Sequence, residues 1–272
     1  MAVVAGAATG HLHVGLLTLV GYLPVGYPDV PTSIAAMTAM VDAGVDVVEV
    51  GLPYSDPLMD GPVIQRAAEG ALAAGTRVDD VFTACRAVAD TGTPALVMTY
   101  WNPVLRRGVD TFARDLAASG AAGLITPDLI PDEAAEWIAA SDAYGLDRVF
   151  LVAPSSTPER LARATAASRG FIYAASLMGV TGTRESLGSA AESLVARTRE
   201  VTDLPVCVGL GVSNGEQAAA VGEFADGVIV GSALVRTLVD ASAADEGVAS
   251  LREVDADLAG GVRRSRDRVG TP

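Results

Sequence analysis

The sequence predicts an α/β protein with a single-domain (β/α)8 fold, the TIM barrel, and three observations support this prediction. Eight short runs rich in Val, Ile, Leu or Ala recur along the 272 residues, each followed by a stretch with helical periodicity. The runs are continuously apolar rather than alternating, which is typical of parallel strands covered on both faces. Neither a Pro/Ser-rich linker nor a change in composition divides the chain, and its length suits a barrel that needs roughly 250 residues.

The eight predicted strands follow one another along the chain. They are LLTLVGYLPVG near Leu17, DVVEVGLP from Asp46, ALVMTY from Ala95, GLITPD from Gly123, RVFLVAP from Arg148, FIYAAS from Phe171, PVCVGLG from Pro205 and GVIVGSA from Gly227. Several amphipathic stretches between them begin at Ser, Asp or Asn and end at Gly, as helices do. We expect one domain over residues 1–272, with the barrel at about 15–262 between a weakly structured N-terminal segment and C-terminal tail. An eight-stranded, doubly wound open sheet is the alternative fold.

The segments after the second and sixth predicted strands are longer than the others. The second contains the loop GLPYSDPLMDGP, and the sixth contains LMGVTGTRESLGSAAE. In barrels the loops that follow the strands build the active site. We therefore expect a catalytic loop after the second strand and a lid after the sixth.

The charged residues exclude several classes of function. The 33 acidic residues outnumber the 19 basic ones and give a net charge of −14, which disfavours nucleic acid and anionic membranes as partners. All 19 basic residues are Arg. Because a Schiff-base aldolase, a covalently bound pyridoxal phosphate and a Walker-type P-loop each need a lysine amine, the sequence excludes all three.

The cysteines and histidines indicate neither a disulfide framework nor a metal site. Cys85 and Cys207 lie far apart in apolar surroundings and are expected to be buried, reduced thiols. His11 and His13 are the only histidines, have no further ligand beside them, and are expected in a solvated terminus. The first 28 residues contain no apolar run long enough to span a membrane and no basic residue ahead of the apolar part. A cytoplasmic location is therefore expected.

Two carboxylates are candidates for acid–base chemistry. Glu49 lies within VDVVEVGLP, an otherwise apolar strand, and Glu is almost never fully buried without a partner. In the mouth of a barrel, desolvation would raise its pKa towards the range useful for proton transfer, whereas pairing with a cation or a backbone amide is the structural alternative. Asp60 follows across a loop that also holds Asp56, and either aspartate could be loop scaffolding instead. Two carboxylates facing one pocket can divide the work, one moving a proton while the other stays ionised.

The last two strands are followed by glycine-rich turns. VGLGVSNGE and VGSALV place Gly209, Gly211, Gly231 and Ser232 where barrels often hold a phosphate between backbone amides and a helix N-terminus. Glycines in such turns can also serve backbone geometry alone. Because the chain has no Lys, an amide cradle is the natural way to hold an anion.

The segment EVGLPYSDPLMDGPVIQ resembles the signature of the tryptophan synthase alpha chain family, with Glu49 and Asp60 at the two catalytic positions. The segments TYWNP, PDLIPDE, GVTGTR, GLGVS and GSALV match further family segments in the right order. The resemblance extends from about Gly21 to Leu238 and is most specific in the second βα unit. It implies the retro-aldol cleavage of indole-3-glycerol phosphate to indole and glyceraldehyde 3-phosphate.

The resemblance also implies a role for each matching residue. Glu49 would move protons at indole C3 and at the glycerol hydroxyl, Asp60 would accept the indole N–H, and Tyr173 would line the pocket near the glycerol chain. The implied substrate-binding residues are Tyr22, Met98 and Leu210 around the indole, Gly182, Gly211, Gly231 and Ser232 at the phosphate, Thr181 closing over Asp60, and also Tyr100 and Gly209.

The chain departs from the family pattern at two places. Leu177 stands at the start of the sixth loop, where some members carry an Arg, so closure of the lid or its coupling can differ. The helix that usually precedes the first strand is hard to find in the Gly/Ala-rich segment MAVVAGAATGHLHVG.

The resemblance finally implies a partner. Indole would pass to a beta chain that carries pyridoxal phosphate, within an αββα heterotetramer, and this chain itself would need no cofactor or metal. Two alternatives are a free-standing indole-3-glycerol-phosphate lyase and a largely non-catalytic activator of a beta chain, although the intact pair of Glu49 and Asp60 argues against the second. A sugar-phosphate isomerase or epimerase is the alternative from another enzyme class, but the strand-end histidines of metal-dependent epimerases are absent.

Overall fold

The computed structural model describes residues 4–5, 12–13, 17–176 and 184–269. Its centre is a closed barrel of eight parallel strands, in which the last strand pairs with the first. The strands are β1 (Thr18–Pro24), β2 (Val47–Gly51), β3 (Ala95–Met98), β4 (Gly123–Thr126), β5 (Asp147–Val152), β6 (Ile172–Ala175), β7 (Val206–Gly209) and β8 (Gly227–Val230). Seven of them lie within their predicted runs and β5 begins one residue before its run, so the (β/α)8 prediction is confirmed. Because Gly227 of β8 pairs with Thr18 of β1, the open-sheet alternative is wrong.

Helices surround the barrel and alternate with its strands. They are α1 (Val30–Ala43), α2 (Pro62–Ala73), α3 (Val78–Ala89), α4 (Trp101–Arg107), α5 (Val109–Ala118), α6 (Ala135–Tyr144), α7 (Pro158–Ala167), α8 (Arg184–Arg199), α9 (Gly215–Val221), α10 (Ser232–Val239) and α11 (Ala244–Val269), with a 3-10 turn at Pro131–Glu133. Before the barrel, Val4–Ala5 pairs antiparallel with Leu12–His13. The domain limits predicted for residues 1–272 stay a prediction.

Helix ends follow the predicted capping chemistry at several places. Asp29 precedes α1, and its carboxylate accepts a hydrogen bond from the N–H of Thr32 at 2.8 Å. The same helix ends at Gly44, whose φ of 109° is left-handed. Asn214 caps α9 in the same way through the N–H of Gln217. The loops on either side of these helices are therefore fixed by local sequence.

The interior of the barrel is a layer of eight buried apolar side chains, one from each strand or, for Phe171, from the residue just before it. The layer consists of Val20, Val47, Leu96, Ile125, Val149, Phe171, Cys207 and Ile229. A second, larger cluster fills the space between the outer faces of the strands and the helices. Since side chains alternate across a strand, the next inward-facing side chains toward the carboxyl ends lie two residues further along.

The long helix α11 packs against neighbouring helices, and its Arg266 binds the residues just before β1 and β2. The Arg266 guanidinium donates to the Leu17 carbonyl at 2.6 Å and to the Asp46 carboxylate at 2.7 Å, and that carboxylate also accepts the N–H of Leu19 at 2.8 Å. Further along α11, Asp255 is fully buried, and neither of its carboxyl oxygens has a hydrogen-bond partner among the described residues. Burial raises the pKa of Asp255 from the ordinary 3.8 to about 8.

Asp255 should make stability fall as the pH rises. The unfolded chain ionises near 3.8 while the folded chain keeps the proton until about 8, so the free energy of unfolding decreases across that window. Asp255→Asn removes this decrease. Its free energy of unfolding relative to that of wild type should therefore increase by up to about 4 kcal/mol from about pH 5 to about pH 8. Urea denaturation at both pH values measures it. Glu253→Gln, an exposed site on the same helix, is the control; equal pH dependence in Asp255→Asn and wild type would contradict this account.

Candidate active site

The carboxyl-end mouth of the barrel holds six predicted site residues that share one position relative to the interior layer. Each lies two positions after a member of the interior layer, on the same strand or directly beyond it, and therefore one pleat above that layer. These residues are Tyr22, Glu49, Met98, Tyr173, Gly209 and Gly231. Met98 and Tyr173 pack against the interior layer from above. The alternation of side chains along six strands thus gathers these residues around one opening.

Glu49 lies on β2 at the floor of this opening. It pairs in register with Tyr22 of β1 and Leu96 of β3, and it is only 1% exposed. One carboxyl oxygen, Oε2, has no hydrogen-bond partner among the described residues. Burial, followed by the nearby charge of Asp60, raises the pKa of Glu49 to about 8. Glu49 is therefore mostly protonated at neutral pH and can act first as an acid.

Asp60 lies at the end of the loop between β2 and α2 and is half-buried. Burial raises its pKa to about 6, while a hydrogen bond with the Tyr100 hydroxyl lowers it. Asp60 is therefore mostly ionised at neutral pH, where Glu49 is protonated. Two neighbouring carboxyls with separated pKa values can take opposite roles in one reaction.

Tyr100 fastens the loop that carries Asp60. Its hydroxyl accepts the N–H of Met59 at 2.9 Å, and its ring lies 5.2 Å from that of Tyr54. On the other side of the loop, Gln65 Nε2 donates to the carbonyl of Asp60 at 2.8 Å. Tyr100 was predicted to bind substrate, which stays a prediction, and in the structure it contacts the loop between β2 and α2, where it positions Asp60.

Two glycines make room for the tyrosines of the mouth. A Cβ at Gly51 would lie 2.4 Å from the hydroxyl of Tyr22, and a Cβ at Gly209 would lie 2.8 Å from the hydroxyl of Tyr173. Burial raises the pKa of both tyrosines well above 10, so both phenols are neutral. Because Gly209 has no side chain, it leaves the space that the Tyr173 ring occupies. That Gly209 also binds substrate stays a prediction.

The turns after β7 and β8 border a cavity of about 470 Å³. Gly211, with a left-handed φ of 68°, and Ser232, the first residue of α10, both line it. Gly231 precedes α10, and no side chain caps that helix, so its first amides are available to an anion. Leu210, predicted beside the indole, packs in part against the outer apolar cluster.

Some predicted residues cannot be placed, and one residue of interest was missed. Thr181, Gly182 and Leu177 lie outside the described residues. Arg236, which lines the same cavity as Gly211 and Ser232, was not singled out from the sequence. The signal for it is its position four residues after Ser232, which places both on one face of a helix.

The described residues contain no group of His, Cys, Asp and Glu side chains that could hold a metal ion.

Cys85 and Cys207 are buried and form no disulfide, as predicted, and burial raises the pKa of the Cys85 thiol to about 12. In the part of the chain described here, no helix is both long and apolar enough to cross a membrane.

The fold and the mouth together define a (β/α)8-barrel protein with two carboxyls of separated pKa at the mouth and a cavity bordered by the turns after β7 and β8. A family model described as tryptophan synthase alpha chain matches residues 15–262. The chain belongs to the tryptophan synthase alpha chain family.

Several known proteins are similar to this chain. The tryptophan synthase alpha chain of Mycobacterium marinum is 65% identical over 246 residues, covering 90% of this chain and 89% of the relative. That of Thermobifida fusca is 62% identical over 252 residues, covering 92% and 93%. A crystal structure of tryptophan synthase from M. tuberculosis in an aminoacrylate-bound form matches with a TM-score of 0.84 and 58% identity, covering 91% of this chain and 94% of that one. The alpha subunit from Legionella pneumophila str. Paris matches at 0.83 and 32%, covering 91% and 93%.

The contact between Tyr100 and Asp60 generates a prediction about pH. Tyr100→Phe removes a hydrogen bond that favours the ionised carboxylate, so the pKa of Asp60 should rise above about 6. In a pH profile of kcat/KM for indole release, the fall in activity on the acidic side should therefore shift to higher pH by about one unit. Tyr54→Phe contacts the Tyr100 ring but not Asp60 and is the control. An unshifted pH profile in Tyr100→Phe would refute the positioning role.

Proposed function

We propose that this chain cleaves indole-3-glycerol phosphate to indole and glyceraldehyde 3-phosphate, with Glu49 and Asp60 as its acid–base pair. The observation that carries the proposal is that two carboxyls at the same barrel mouth have different pKa values. Glu49 is 1% exposed with a pKa of about 8, and Asp60 has a pKa of about 6. At neutral pH Glu49 is therefore mostly protonated and can donate a proton, while Asp60 is mostly ionised and can stabilise a positive charge.

The proposed reaction begins with the proton on Glu49. Transfer of that proton to indole C3 makes the ring an electron sink, and Asp60 stabilises the developing positive charge by accepting the indole N–H. The Glu49 carboxylate then takes the proton of the adjacent glycerol hydroxyl. The O–H electron pair forms the aldehyde C=O, and the C3–carbon bond breaks with its electron pair returning to the ring. Glu49 ends protonated, as it began.

The remaining site residues are proposed to hold the substrate. Tyr173 would face the glycerol chain from β6, while the indole would lie among Tyr22, Met98 and Leu210. The proposed phosphate ligands are Gly182, Gly211, Gly231 and Ser232, supported for the last three by their place beside the cavity or at the start of α10. Thr181 would close over Asp60. Tyr100 would act through Asp60.

An exposed apolar surface beside the catalytic loop supports docking of a beta chain. Leu58 and Met59 follow β2, Leu105 follows β3 and Ile130 follows β4, and their exposed fractions range from 52% to 91%. Exposed apolar side chains that cluster are typical of protein interfaces. We infer that these four residues form the docking surface for the beta chain in an αββα heterotetramer.

This surface would connect a bound beta chain to the loop that carries Asp60. Leu58 and Met59 belong to the same loop as Asp60, so a partner that orders these side chains also acts on the catalytic carboxylate. In this family pyridoxal phosphate belongs to the beta chain, and we propose that this chain works without a cofactor, in the cytoplasm. A largely non-catalytic activator is not favoured, because the buried Glu49 and the tethered Asp60 are both in place.

Glu49→Gln tests the proton-transfer role. The variant keeps the shape of the side chain but has no proton of the right acidity to give, so kcat for indole release should fall at least about 100-fold, with or without a beta chain. Indole release from indole-3-glycerol phosphate is the measurement, and circular dichroism checks the fold. Glu69→Gln, on an exposed face of α2, should match wild type. Wild-type turnover by Glu49→Gln would refute the assignment, and no cleavage by wild type would refute the lyase.

Leu105→Ser with Ile130→Ser tests the docking surface. Loss of two apolar contacts should weaken binding to the beta chain about tenfold or more, while indole release by the isolated chain stays unchanged. Calorimetric titration with the beta chain measures the affinity. Val201→Ser changes an exposed apolar residue between α8 and β7, at the opposite end of the barrel, and should leave binding intact. Equal affinity of the double variant and wild type would exclude this surface.

A further inference from the structure

The cavity beside β7 and β8 extends past the proposed phosphate ligands. Gly211, Ser232 and Arg236 of α10 all line it. Among the described residues that border this cavity, Arg236 has the only basic side chain. The neighbourhood of the proposed phosphate site therefore contains one full positive charge in addition to the partial charges of backbone amides.

The geometry of α10 directs this charge toward the phosphate ligands. Arg236 follows Ser232 by four residues, about one helical turn, so the two side chains share a face. Side chains on a helix lean toward its N-terminus, which brings the long guanidinium arm back over the first turn. The Arg236 side chain is exposed, and its guanidinium makes no hydrogen bond or salt bridge with any other described residue, although the carbonyl of Arg236 accepts the N–H of Asp240 within the helix end. Its guanidinium is therefore available to a ligand.

The other charges around the cavity make such a counter-charge necessary. Asp240 and Glu246 also line the cavity, and the chain as a whole has a net charge of −14. Asp240 lies eight residues after Ser232, about two helical turns away, with Arg236 between them. A phosphate dianion approaching the first turn of α10 is repelled by these carboxylates. Helix amides offer only about half an elementary charge in return.

We propose that Arg236 binds the phosphate group of the substrate and selects the phosphorylated substrate over its neutral counterpart. The guanidinium donates charge-assisted hydrogen bonds to the phosphate oxygens while the amides of the first turn of α10 hold them from the other side. This inference rests on the proposed function for the nature of the substrate. It concerns the phosphate alone, and the carboxyl pair is not involved.

Calorimetric titration with glycerol 3-phosphate tests the role of Arg236 without turnover. Arg236→Gln should raise the Kd of this probe about tenfold, with a smaller increase at high salt concentration because the contact is exposed and screened. Arg236→Lys keeps the charge and should bind within about threefold of wild type. Arg160→Gln, an exposed change of the same charge on α7, is the control and should bind as wild type does. The Kd of indole should be the same in all four proteins.

Three results would overturn the inference: glycerol 3-phosphate failing to bind wild type, Arg236→Gln binding it as tightly as wild type, or Arg160→Gln losing as much affinity as Arg236→Gln. The lyase itself is tested separately by indole release from wild type. If wild type binds glycerol 3-phosphate through Arg236 but releases no indole, the proposed function fails and the role of Arg236 stands. If wild type releases indole and Arg236→Gln binds normally, only the role of Arg236 fails.

Discussion

The burial of the Glu49 carboxyl is the constraint on which the rest of the site depends. Glu49 lies one pleat above a layer of eight apolar side chains, with one oxygen lacking a hydrogen-bond partner among the described residues. An ionised carboxylate there is costly, so the proton stays on up to about pH 8. The apolar interior layer therefore both packs the barrel and raises the pKa of the carboxyl above it. Stability and chemistry use the same side chains.

The second carboxyl is positioned by contacts between loops rather than by a strand. Tyr100, directly after β3, binds the Met59 amide and the Asp60 carboxyl, and so joins the second and third βα loops. Those loops also carry the exposed apolar residues proposed to receive the beta chain. Binding of a partner at this surface can therefore change the position of Asp60, because Leu58 and Met59 precede it in the same loop. The proposed phosphate site lies at the turns after β7 and β8, where we propose that amides and Arg236 provide positive potential in an acidic protein.

Much of this arrangement could be predicted from the sequence because it follows from periodicity. Continuous apolar runs predicted the strands, and Glu49 stood out as a carboxyl within one of them, whereas Tyr22, Met98 and Tyr173 were implied by the family resemblance. The structure shows that each of these four residues follows an interior position by two residues. Contacts between distant segments could not be predicted in this way. The fit of Tyr173 over Gly209, the tether from Tyr100 to Met59 and the lone carboxyl of Asp255 all depend on packing that no local pattern encodes. That Tyr100 binds substrate stays a prediction implied by the resemblance, and its contacts with Met59 and Asp60 were not foreseen.

The protonation of Glu49 can be measured directly by carbon-13 NMR titration of the chain labelled at glutamate side chains, with Glu49→Gln used to assign the signal. The account predicts a pKa of about 8 in the wild type. In Asp60→Asn it predicts a lower pKa that still exceeds the ordinary 4.5, because burial rather than the charge of Asp60 is the larger cause. A Glu49 signal that titrates near 4.5 in the folded wild type would contradict the account.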